Sequence, residues 1–85
     1  MSVTVQNLKS LMIEAGIDVD VVKALDPAVP LLKQGFDSFD LPAFSAAVES
    51  RYDITISDRD VLGLRTLDDF MTFVSKHAVS AFAER

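Results

Sequence analysis

The chain has 85 residues, 49% of them hydrophobic and 25% charged, with a net charge of −5. That is enough apolar residue to close one small core, and too acidic a balance for nucleic acid, whose phosphates call for clustered Lys and Arg. There are no cysteines and one histidine, so disulfides are excluded and a Cys/His zinc site has almost nothing to work with. No apolar run follows a basic start, and no stretch approaches the roughly 18 apolar residues of a membrane span. Neither a signal peptide nor membrane insertion is expected. Residues 1–85 read as a single domain, and the initial Met1 favours a free protein over a piece of a larger synthase.

Val5, Leu8, Leu11, Met12 and Ala15 recur at helical spacing, which predicts an amphipathic helix from about Val3 to Ala15. Thr4 or Ser2 is placed to cap it, and Gly16 stands where a left-handed residue ends a helix. Asp18, Asp20, Asp26, Pro27, Pro30 and Gly35 follow. The prolines exclude a continuous helix here. Val21, Val22 and Leu25 suit one short turn, and Val29, Leu31 and Leu32 are expected to pin the connection to the core. A loop this long in a small domain is usually functional or disordered. Its apolar content favours an ordered one.

The next helix is predicted to run to about Tyr52. Leu41, Phe44, Val48 and Tyr52 make its buried stripe, with Ala47 beside it and Glu49 and Arg51 outward. Pro42 is tolerated only in a first turn, so the regular helix begins near Leu41, with Asp40 as a second possible cap. Asp53-Ile54-Thr55-Ile56 is a short link. Ser57 and Asp58 are placed to cap a short helix through Asp60, Val61 and Leu62, ended by Gly63. Thr66 caps the last helix, with Asp68 and Asp69 in its first turn, where the helix dipole favours negative charge. Leu67, Phe70, Met71, Val74 and Ala78 form its inner face, and it runs on through Phe82. Three main helices and one short one make an all-α, four-helix bundle.

The catalytic constellations mostly fail. A triad would need Ser38, His77 and Asp37 to converge, and nothing in their spacing brings His77 to Ser38. The acidic pairs Asp18/Asp20 and Asp58/Asp60 do not fit a calcium loop. Gly16, Gly35 and Gly63 are isolated, so no loop cradles a phosphate. What remains is Gly35-Phe36-Asp37-Ser38-Phe39-Asp40: a serine after an acid, behind a glycine turn, at the mouth of a helix. Judged locally, Ser38 is an ordinary helix cap.

The whole-chain pattern adds to this. Over about residues 3 to 77 the sequence resembles the acyl carrier protein family: a first helix, a long loop, Gly-x-Asp-Ser-Leu opening a second helix, a short third helix and a fourth. Here the motif reads Gly35-Phe36-Asp37-Ser38-Phe39. Tyr52 and Ile56 stand where the family keeps an aromatic and an aliphatic residue. Leu64, Thr66 and Leu67 stand where the third helix gives way to the fourth. The resemblance implies that a phosphopantetheinyl transferase moves 4′-phosphopantetheine from coenzyme A onto Ser38, and that the arm holds acyl groups as thioesters. It implies no catalysis by the chain itself. Its partners would be acyl-activating, acyl-transferring or condensing enzymes with basic docking surfaces, in fatty-acid, lipid or secondary-metabolite biosynthesis. A cytoplasmic monomer fits this picture.

Asp37, Phe39, Asp40 and Glu49 are the expected docking residues. Phe44, Val48, Leu62, Leu64, Leu67, Phe70 and Met71 are the expected wall of an acyl pocket. Phe39 departs from the usual aliphatic after the serine, Gln34 from the usual apolar residue before the glycine, and Ala43, Ala46 and Ser50 stand where acidic residues are common. These departures favour a specialised carrier over a housekeeping one. A peptidyl or aminoacyl carrier shares the attachment serine, and an unmodified helical interaction domain would use Ser38 only as a cap. A small hydrolase using Ser38 ranks last, for want of a placed base.

Overall fold

A computed structural model describes the backbone of residues 3–83 and the side chains of residues 3–77. The helices, in chain order, are α1 Val5–Glu14, α2 Val19–Ala24, α3 Asp40–Tyr52, α4 Asp58–Leu62 and α5 Leu67–Ala83, with a 3-10 turn at Leu31–Gln34. Among the described residues there is no strand. Ser2 lies outside the described residues, as do the side chains of Ala78 and Phe82.

The caps explain the boundaries. Thr4 Oγ1 accepts the Asn7 N–H at 3.1 Å while Asn7 Oδ1 accepts the Thr4 N–H, a reciprocal arrangement that satisfies two donors at the start of α1. Gly16 ends α1 with φ +92°. Ser57 and Asp60 repeat the reciprocal cap on α4. Thr66 Oγ1 accepts the Asp69 N–H at 3.0 Å at the start of α5. Helix α3 ends on Asp53, left-handed at φ 54°, a conformation that aspartate tolerates better than most side chains.

Helix α1 packs against α2, α3 and α5, and α3 packs against α5. Phe44 and Phe70 are fully buried, with ring centroids 4.7 Å apart. Phe36 meets Phe44 edge-on at 6.3 Å. Leu8, Met12, Val22, Leu31, Val48, Leu67 and Val74 complete the centre of the core.

The long connection from α1 to α3 is ordered by hydrogen bonds as well as by apolar contact. Asp18 caps α2, which is longer than the single turn expected there. Leu31 donates its N–H to the Arg65 carbonyl at 2.9 Å, Asp68 to that of Pro27 at 3.1 Å, and Lys9 Nζ reaches the Leu25 carbonyl at 3.1 Å. Gln34 binds the loop to itself: Oε1 accepts the Asp26 N–H at 2.7 Å, and Nε2 donates to the carbonyls of Asp26 and Val29. Of the three residues expected to pin the loop, Leu31 is fully buried and Val29 half-buried, but Leu32 is 55% exposed. Adjacent residues of a tight 3-10 turn point in different directions, so Leu31 and Leu32 cannot both face inward.

Candidate functional site

Gly35 takes φ +91° and turns the chain out of the 3-10 turn. Phe36 then plugs into the core at 3% exposure. This anchor fixes the backbone just before the segment Asp37-Ser38-Phe39. Asp37 Oδ1 accepts the Phe39 N–H at 3.0 Å, and Asp40 Oδ2 accepts the Asp37 N–H at 2.9 Å. Aspartates, not Ser38, therefore bond the backbone N–H groups of the turn just ahead of α3, and no side chain among the described residues caps the helix itself. Asp40 is inside the helix and reaches backwards instead of capping from ahead of it. Pro42 falls in the first turn, where it displaces no helical hydrogen bond.

Ser38 is exposed, and its Oγ makes one long contact, donating to Asp37 Oδ1 at 3.4 Å. It accepts no backbone N–H among the described residues, so it does not serve as the α3 cap. Phe39 is 83% exposed, although it precedes a helix whose other aromatic, Phe44, is fully buried. Asp37 is exposed and Asp40 half-buried. Glu49 is half-buried, not fully outward, because its Oε2 accepts the Ile56 N–H at 3.0 Å. His77 lies on α5 with its ring 4.2 Å from that of Phe73. Among the described residues no histidine bonds Ser38.

An open cleft of about 480 Å³ is lined by Pro30, Leu32, Lys33, Leu41, Val61, Leu62, Leu64 and Arg65. Of the residues read as an acyl pocket, Leu62 and Leu64 border this cleft. Leu62 is 77% exposed at its rim and Leu64 is buried. Phe44, Val48, Leu67 and Phe70 lie fully inside the core behind it. Met71 borders a separate shallow recess with Val3, Thr72, Ser75 and Lys76. The loop and early-α3 contributions, Pro30, Leu32, Lys33 and Leu41, were not expected from the sequence. The loop reaches the α4–α5 segment by pairing its backbone with Arg65 and Asp68, and such pairings leave no mark in residue type.

A solvent-facing hydroxyl on a fixed helix start, held only by a long contact to Asp37 and by no histidine among the described residues, suits modification by another enzyme better than attack on a substrate. The free space around Ser38 also meets the steric requirement of a covalently attached arm. These features suit a carrier domain. A family model described as phosphopantetheine attachment site matches residues 8–74. The chain belongs to this family, as its resemblance to acyl carrier proteins implies, and its cofactor is covalently attached 4′-phosphopantetheine. Domains of this kind are typically carriers without catalysis of their own. No curated protein sequence matches the chain. Among the described residues there is no group of side chains able to hold a metal ion, and no helix is long and apolar enough to cross a membrane.

Proposed function

We propose that Ser38 is the attachment residue and that the protein carries acyl intermediates for fatty-acid, lipid or secondary-metabolite biosynthesis, without catalysing any step. One observation carries this reading: Ser38 is the exposed serine at the Gly35–Asp40 turn, and its hydroxyl is not used as a helix cap. When bound, the arm supplies a terminal thiol that holds an acyl group as a thioester, chemistry that a chain without cysteine cannot supply itself.

The rest of the work belongs to the chain. Phe36 and Gly35 hold Ser38 at a fixed place on the surface. Asp37 and Asp40 present negative charge to a transferase and to later enzymes with basic surfaces, which sets encounter rate and orientation. Phe39 adds an apolar contact at the centre of that surface. The core behind the cleft, with Phe44, Val48, Leu67 and Phe70, is closed around its own side chains and would have to part to admit an acyl chain. A methylene taken into it gains about 0.8 kcal/mol, less the cost of parting the helices. The bulk of Phe44 and Phe70 favours short or medium chains.

Co-expression with a phosphopantetheinyl transferase and measurement of intact mass tests the reading. A gain equal to the arm on the parent protein is expected. An unmodified protein under conditions that fully convert a known carrier overturns it. Loading by acyl-activating but not aminoacyl-activating enzymes then separates an acyl from a peptidyl carrier.

A further inference from the structure

Among the described residues, Ser45 is the buried polar residue of the core, at 6% exposure. Its hydroxyl has no hydrogen-bond partner among the described residues. Buried hydroxyls are nearly always paired, and one that is not is destabilising. Alanine would occupy the same place in a helix without that cost.

The position of Ser45 gives the hydroxyl a use. Residues four apart share a helix face, so Leu41, Ser45 and Glu49 form one row along α3. Leu41, at the top of the row, lines the cleft opposite Val61, Leu62 and Leu64. Glu49, at the bottom, is tied to the Ile56 N–H just ahead of α4. Ser45 therefore sits one turn deeper than the cleft wall, on the flank of α3 that looks toward the α4 segment. A chain entering beside Leu41 and moving inward meets the Ser45 hydroxyl after about 5–6 Å.

We infer that Ser45 is a specificity residue for the cargo, and that the acyl group this carrier buries bears a keto or hydroxyl oxygen within its first few carbons. This rests on the carrier reading above. A serine hydroxyl donates to a ketone, and both donates to and accepts from an alcohol. A plain alkyl chain in the same place leaves the hydroxyl as unpaired as it is in the unloaded protein. A buried group built to hydrogen-bond a ligand discriminates against the analogue that lacks the partner.

The test uses the full chain bearing its arm, with loading confirmed by intact mass. Hexanoyl, 3-hydroxyhexanoyl, 3-oxohexanoyl and 5-oxohexanoyl forms are melted for the parent and for Ser45→Ala. At least one oxygenated form of the parent is expected to melt about 4 °C or more above its hexanoyl form, the shift of a single net hydrogen bond in a domain this small. That gain is expected to vanish in Ser45→Ala, whose arm-only form melts at or above the parent. Equal melting of oxygenated and hexanoyl forms in the parent overturns the inference, as does a gain that survives in Ser45→Ala. A chain that takes no arm fails the carrier reading itself, whereas a loaded chain with equal shifts fails only this inference.

Discussion

Glu49 Oε2 accepts the backbone N–H of Ile56 at 3.0 Å, which ties the last turn of α3 to the link that precedes α4. The acid is a structural strut at the edge of the surface it was expected to serve. Replacing it with alanine leaves a part-buried donor unpaired, at a cost of about 1 kcal/mol. Glu49→Ala is thus expected to lower Tm by about 4–8 °C. Glu49→Gln keeps an acceptor oxygen and should lose much less. Equal losses in the two variants would mean that charge, not the bond to Ile56, is what matters there.

Ser38→Ala should abolish the mass gained with coenzyme A and a transferase. Its stability should stay within about 0.5 kcal/mol of the parent, as for an exposed side chain without structural bonds. Ser10, Ser45, Ser50, Ser57, Ser75 and Ser80 lack the Gly35–Asp37 lead and should remain unmodified. A mass gain on the Ser38→Ala protein would remove Ser38 from the mechanism.

Docking is read best by separating charge from structure at Asp40, since Oδ2 also holds the Asp37 N–H. Asp40→Asn keeps an acceptor and removes the charge. It should slow modification at low salt, with the deficit shrinking as salt rises. Phe39→Ser should slow modification at any salt while leaving stability nearly unchanged, because Phe39 is 83% exposed. If neither rate moves, another surface meets the transferase.

Much of this was legible in the sequence because it depends on near neighbours. Thr4, Ser57 and Thr66 are caps whose partners lie three residues on, and each forms as its pattern requires. The stripe of Phe44 and Val48 follows from helical period alone. The rest depends on distant pairings. Leu32 and Lys33 line a cleft because the loop bonds to residues 65 and 68, more than thirty positions away. Glu49 was read as outward because periodicity sees only its own helix. Phe39 keeps its exposed place because Asp37, not a neighbouring apolar side chain, anchors its backbone.

Gly35→Ala tests how strictly the turn before Ser38 is set. A Cβ there would meet Val21 Cγ2 at 3.5 Å, an ordinary contact. The cost therefore comes from the backbone, at φ +91°, and is about 1–2 kcal/mol. A clear loss of Tm is expected, together with slower modification of Ser38. An unchanged Tm would show that the turn accepts another conformation.

The Asp60 carboxyl sits below the ordinary aspartate range because it accepts hydrogen bonds from the backbone and then the side chain of Ser57, with smaller help from His77 and Arg59. A group whose pKa is lower folded than unfolded stabilises the fold above its unfolded pKa and ceases to do so as pH falls through the folded value. The cap of α4 should thus weaken only in acid, below about pH 4. Carboxyl-detected NMR titration should find Asp60 depressed in the parent and raised in Ser57→Ala. An identical titration in both proteins would refute the role of the Ser57 hydroxyl.

Gln34 joins residues 26 to 34 through three hydrogen bonds, all of them between its amide and backbone atoms. None of these atoms gains or loses a proton in the range where proteins function, and none is oxidised or reduced. The loop ahead of Ser38 is therefore closed by a clasp that neither acidity nor redox potential can release. Only competition from water or a partner's own hydrogen bonds can open it.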